Sequence, residues 1–181
     1  MKKILLIIAI AFISISAKAQ DIAVSGITLG ATKNDAIKIL NEKKYKYRIE
    51  GSLNYILVSP YTNNLSTAIN QMMISFNSDN IVISILLISK LDVKIFDNYD
   101  NIVSKLKEKY GKPWKVIEKY YSPYSENYRN YPLSAIEYLN KHETDWKIND
   151  YTYLDVFITK SGIDVFYSDT RFLEKENTTD Y

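Results

Sequence analysis

His142-Glu143-Thr144-Asp145 brings together the only histidine of this chain and two carboxylates. A metal site needs three or four ligands at suitable spacings. This tetrad lacks the second histidine of the zinc-protease pattern, so it reads as a solvated turn. A serine triad would have to use the same imidazole, yet no Gly-x-Ser-x-Gly elbow precedes any serine. Ser161-Gly162 reads instead as turn chemistry. Asp145, Asp150, Asp155, Asp164 and Asp169 fall near expected strands and turns, where solvated acids are ordinary. Paired carboxylates that hydrolyse glycosides need separations that spacing alone does not set. Only five glycines are spread along 181 residues, which leaves no clustered loop to cradle a phosphate. Cysteine is absent, which removes disulfides, thiol catalysis and thiolate metal sites together. The residues therefore argue against an enzyme, and no catalytic residue, metal ligand or cofactor is assigned.

The aromatic residues carry a different signal. Tyr120, Tyr121, Tyr124, Tyr128 and Tyr131 fall within a dozen residues, Tyr138 follows, and Trp114 and Trp146 flank them. A tyrosine offers a large apolar ring with a polar tip, which suits protein interfaces and stacking on sugar rings. Tyr120, Tyr121, Tyr124, Tyr128, Tyr131 and Trp146 are accordingly the candidate binding residues, with Glu126 and Arg129 as orienting polar groups. The competing use of the same rings is structural: they cover a sheet edge and pack over the core beneath a long loop.

Positioning these residues falls to elements that alternate in a simple order. Thr32 is a helix N-cap with Asp35 three residues on, and Ala36, Ile37 and Leu40 follow at helical spacing, which predicts a helix over 33–43. Tyr45, Tyr47 and Ile49 share one face of a strand, Gly51-Ser52 turns it, and Leu53 to Ser59 returns. Pro60 to Ala68 is a loop. Met72 to Phe76 and Ile81 to Ile88 are strands, the second apolar enough to be central. Phe96, Tyr99, Val103, Leu106 and Tyr110 mark an amphipathic helix that Gly111 and Pro113 end. Trp114 to Tyr121 is a strand. A Tyr-rich insertion over 122–142 follows, with a short helix over 133–141. Strands at 145–148, 151–159 and 163–167 complete the chain. The expected fold is α+β: two tandem helix-plus-antiparallel-strand units, about 26–90 and 91–169, sharing one sheet with both helices on one face. The opposite face is then open to solvent or a partner.

Residues 1–19 have the form of a secretory signal peptide. Lys2 and Lys3 precede the apolar run from Ile4 to Ile13, and Ala17-Lys18-Ala19 supplies the small-x-small cleavage pattern. The run is too short to span a bilayer. Cleavage removes Lys2, Lys3 and Lys18 and no acid, so 23 basic residues become 20 against 21 acidic ones. The mature chain is close to neutral, and nucleic-acid binding loses the basic footprint it requires. The expected product is a single domain over 20–172 with a polar tail over 173–181, periplasmic or secreted, with no membrane anchor after cleavage.

Gly26-Ile27-Thr28-Leu29-Gly30-Ala31-Thr32-Lys33-Asn34-Asp35-Ala36, running on to Leu40, resembles the opening of small envelope proteins of the outer-membrane assembly lipoprotein type. It is similar, too, to the opening of repeats in the β-lactamase-inhibitor protein family. Tyr110-Gly111-Lys112-Pro113 matches the Tyr-Gly-x-Pro-like step by which those families pass from helix to sheet. The resemblance implies tandem helix-plus-sheet units presenting a sheet face for protein binding. This chain lacks the lipid-anchor cysteine of the first family and the disulfides of the second, so no individual binding residue is carried over. The expected function is a non-catalytic protein-binding module with an envelope protein as partner. The alternative is a glycan- or small-ligand-binding protein that uses residues 120–138.

Overall fold

The structure, a computed structural model, describes residues 22–120 and 127–173. The leader expected at 1–19, and all of the tail beyond Leu173, lie outside these residues. The chain opens with a two-stranded ribbon, β1 (Ala23–Val24) and β2 (Ile27–Thr28). Ser25 and Gly26 turn it, both at positive φ (53° and 85°), as a tight hairpin requires. Helix α1 (Lys33–Glu42) starts where the sequence places it. Thr32 is extended, and its Oγ1 accepts the Asp35 amide at 3.2 Å. Ala36 and Leu40, one turn apart, are its buried stripe.

Two hairpins follow. β3 (Tyr47–Glu50) and β4 (Tyr55–Val58) are joined by a single 3-10 turn over Gly51–Leu53. Asn54, in the left-handed region, then donates through Nδ2 to the carbonyls of Phe76 and Asn77 at 2.9 and 2.7 Å. That side chain ties the first hairpin to the second, β5 (Ile69–Phe76) and β6 (Val82–Ser89). Helix α2 (Ile95–Tyr110) ends at Gly111. β7 (Lys115–Tyr120), a short helix α3 (Pro132–Glu137), β8 (Leu139–Lys147), β9 (Thr152–Thr159) and β10 (Gly162–Asp169) complete the described chain.

All eight strands from β3 onward form one antiparallel sheet in the order β3-β4-β5-β6-β10-β9-β8-β7. The expected α+β fold of two tandem helix-plus-strand units does not hold. The described residues are mainly β: one large eight-stranded sheet, a two-stranded ribbon and three short helices. What overturns the expectation is the dominance of the sheet. β6 and β10 pair from Ile88↔Asp164 to Ser84↔Ser168, which joins all eight strands into one body instead of two units. β8 begins at Leu139, so the end of the stretch read as loop and helix is strand. Helix α3 is correspondingly shorter, ending at Glu137.

Side chains alternate along the central strands as a sheet with one covered face demands. Ile56, Ile74, Ile85, Leu154, Val156 and Val165 are fully buried and join Leu40, Ile102 and Leu106 of the helices in one core. Where β10 starts, beside the end of β6, the packing is tight enough to exclude a methyl group. A Cβ on Gly162 would lie 2.2 Å from the Ser89 carbonyl oxygen. Ser89 Oγ in turn accepts the Ile163 amide at 2.8 Å.

Candidate functional site

Strand β8 divides the candidate residues between the two faces of the sheet. His142, Thr144 and Trp146 point into the core, whereas Glu143 and Asp145 point the other way. His142 is not in a solvated turn. It is 1% exposed, beneath the N-terminal half of α2, with its ring edge-on to Tyr99 at 4.5 Å and 88°. Tyr99 in turn donates to Thr144 Oγ1 at 2.8 Å. The Tyr120 hydroxyl bonds His142 Nδ1. His142 Nε2 is buried without a hydrogen bond among the described residues and lies 3.9 Å from Glu118 Oε1. Burial pushes the imidazole below its ordinary pKa, partly offset by the Glu118 charge.

The tyrosines that sequence reasoning singled out divide into three groups. Tyr120 and Tyr128 stack face to face at 4.3 Å with 10° between planes, and Phe96 meets Tyr128 edge-on at 4.8 Å. Tyr128 donates to Glu118 Oε2 at 3.1 Å and accepts from Arg129 Nε at 3.2 Å. Arg129 grips Asp100 of α2 through both terminal nitrogens, at 2.7 and 3.3 Å. These rings thus spend their faces on one another and clasp the segment around Tyr128 to α2. Tyr131 is 59% exposed, its amide donating to the Tyr128 carbonyl at 3.3 Å. Tyr121, Tyr124 and Glu126 lie outside the described residues. Trp146 is a core residue, 2% exposed, its indole N–H bonded to the Gly111 carbonyl at 2.9 Å. The structure therefore brings Tyr120, Tyr128 and Arg129 together, and sets Trp146 in the core.

The opposite face of the sheet carries a constellation that the sequence reading missed. Register places Asp155 opposite Phe166 and Phe157 opposite Asp164, so two carboxylates and two phenyl rings alternate like squares of a chequerboard. Leu86 pairs with Phe166, Met73 with Leu86 and Leu57 with Met73, which extends an apolar row across three more strands. All of these side chains are half-buried. Asp155 and Asp164 make no hydrogen bond or ion pair among the described residues. Burial raises both pKa values, with Glu143 adding to the effect at Asp155.

Beside that row stands a mixed ionic cluster. Lys115 Nζ reaches Glu143 Oε1 at 2.9 Å and Asp145 Oδ2 at 3.1 Å, and Lys141 reaches Glu143 Oε2 at 2.6 Å. Asp145 is 4% exposed, not solvated as its sequence position suggested. Burial and the hydrogen-bonded Glu143 push it up to about 6. At Glu143 burial acts upward but loses to hydrogen bonds from Lys141, Asp145 and Lys115, which hold it at about 2. No protein-family model, curated protein or solved structure matches this chain. Among the described residues no group of three or more histidines or acids has the convergence a metal ion needs, and no helix is long and apolar enough to cross a membrane.

The missed face had a readable signal. Thr152-Tyr-Leu-Asp-Val-Phe-Ile-Thr159 alternates strictly, yet Tyr153 and Phe157 occupy positions that a water-facing strand normally gives to polar residues. Large apolar side chains on both faces of one antiparallel strand mark a second surface that prefers not to be wet.

Proposed function

We propose that this chain is an exported, non-catalytic binding module of the periplasm or cell exterior that docks a protein partner on the open face of its sheet. The observation that carries this reading is the chequerboard of Phe157, Phe166, Asp155 and Asp164, set in the apolar row of Leu57, Met73 and Leu86. Half-buried carboxylates without ion-pair partners are costly in a free sheet face. A partner that presents apolar side chains around one or two Lys or Arg residues would cover the rings and neutralise both acids. The helix side of the sheet is already occupied by the core. The signal-peptide form of residues 1–19 supports export, and the near-neutral mature charge supports recognition through shape and local pairing.

The test is capture of a stoichiometric partner from the envelope by the mature chain, followed by titration with variants. Phe166→Arg and Asp155→Arg should each weaken the complex at least tenfold while leaving the melting temperature within a few degrees. Tyr131→Ala, on the other side of the sheet, should not change it. Equal affinity across all four proteins contradicts the assignment of the face.

A further inference from the structure

On the helix side, a second feature is independent of the open face. The C-terminal ends of α1 and α2 flank a cleft of about 500 Å³, within the size range of small-molecule sites. Its deeper wall is apolar, made by Leu87, Leu106 and Tyr167 of the core. Tyr45 and Tyr61 stand to one side with ring centroids 5.5 Å apart. The polar groups are unusual in sign. Among the described residues, every charged one lining the cleft is a lysine: Lys43, Lys105 and Lys109. Lys105 is engaged, donating to the backbone carbonyls of Asn64 and Leu65 at 3.1 and 2.8 Å, and so holds the loop that forms the cleft's rim. Lys43 and Lys109 form no ion pair among the described residues. Lys109 lies over the ring of Tyr110 at 4.8 Å.

One lining residue shows an unmet donor. Asn63 Oδ1 accepts the amides of Leu65 and Ser66 at 2.8 and 3.0 Å, which fixes the side chain in an Asx turn. Its Nδ2 is buried and has no acceptor among the described residues. Buried amide donors ordinarily find a partner. A cleft with apolar depth and two unpaired ammonium groups at its mouth is complementary to a ligand with an apolar body and a negatively charged head.

We propose that this cleft binds a small amphiphilic organic anion, with Lys43 and Lys109 holding a carboxylate or phosphate head and the apolar body lying against Tyr45, Tyr61 and Leu65. Partial enclosure makes each charge-assisted contact stronger than at an open surface, and the attraction weakens as salt screens it.

Calorimetric titration of the mature chain with octanoate, octyl phosphate, octanol and inorganic phosphate tests the site. At least one of the two octyl anions should bind, octanol and inorganic phosphate at least tenfold more weakly. Whichever anion binds tighter assigns the head group. The double variant Lys43→Gln/Lys109→Gln should lose about tenfold in affinity for that anion, with an unchanged melting temperature because both lysines are exposed. Phe166→Arg, on the far face of the sheet, should bind it as the native chain does. Failure of both octyl anions, octanol binding as tightly as they do, inorganic phosphate matching them, or full affinity in the double variant would each overturn the proposal.

Discussion

Glu143 and Asp145 occupy alternate positions on one strand, share Lys115 and are pulled in opposite directions. They titrate as a pair, in one step at about 2 and another at about 6. The lowered group, Glu143, adds stability that is complete above its unfolded value of about 4.5 and is lost as pH falls toward 2. The raised group, Asp145, acts oppositely: its contribution is complete below about 3.8 and is lost as pH rises through 6. Asp155 and Asp164, also raised, reinforce that decline. The urea midpoint should therefore climb from pH 2 toward pH 4, with Asp169, also lowered, adding to the rise. Between pH 4 and 6 the raised acids pull it down, while buried His142, lowered from its ordinary value, pulls it up. Asp145→Asn should raise the midpoint at pH 6 relative to that at pH 4, compared with the native chain; an unchanged pH profile would mean the carboxyl is not held as described. Asp164→Asn removes a half-buried charge with no partner among the described residues. It should stabilise the free chain by about 0.5–1 kcal/mol in urea unfolding while weakening the complex. Loss of stability would show that the carboxylate is better satisfied than its surroundings indicate.

At the scale of elements, the seam between β6 and β10 is the least tolerant part of the sheet. Gly162 sits against the Ser89 carbonyl so closely that Gly162→Ala must push the two strands apart. The expected loss is about 3 kcal/mol in denaturant unfolding, and a loss below about 1 kcal/mol would contradict the contact. Local rules made several elements readable beforehand. Thr32 and Asp35 announce α1 because a cap is a contact within four residues, and the three- and four-residue spacing from Phe96 to Tyr110 announces α2. β8 was not readable as a strand of nine residues. Leu139 to Lys147 mixes charges with His142 and Trp146, and its strand state comes from pairing with β7 and β9, which no local pattern encodes. His142 misled for the same reason: beside two acids it looks hydrated, and only Phe96 and Tyr99 of α2 with Tyr120 of β7, two elements distant in sequence, bury it. The tyrosine cluster was visible as composition, but whether its rings face outward or one another depends on tertiary packing. Tyr120 on Tyr128 settles that pair.

For the whole molecule, the sheet separates two surfaces with different chemistry. One side holds the helices, the core and the lysine-rimmed cleft. The other offers Phe157 and Phe166 among Leu57, Met73 and Leu86, interrupted by Asp155 and Asp164 and bounded by the Lys115–Glu143–Asp145 cluster. The charged edge strands suit this arrangement, since Lys115, Glu118 and Lys119 on β7 and Arg48 and Glu50 on β3 discourage edge-to-edge pairing between sheets. Recognition is thereby directed to the face. The most direct measurement is site-specific photo-crosslinking within the complex, with the reactive residue placed at Met73 on the open face or at Ser104 on the exposed side of α2. Docking on the sheet face predicts that Met73 captures the partner and Ser104 does not. Crosslinking from Ser104 with none from Met73 would contradict it.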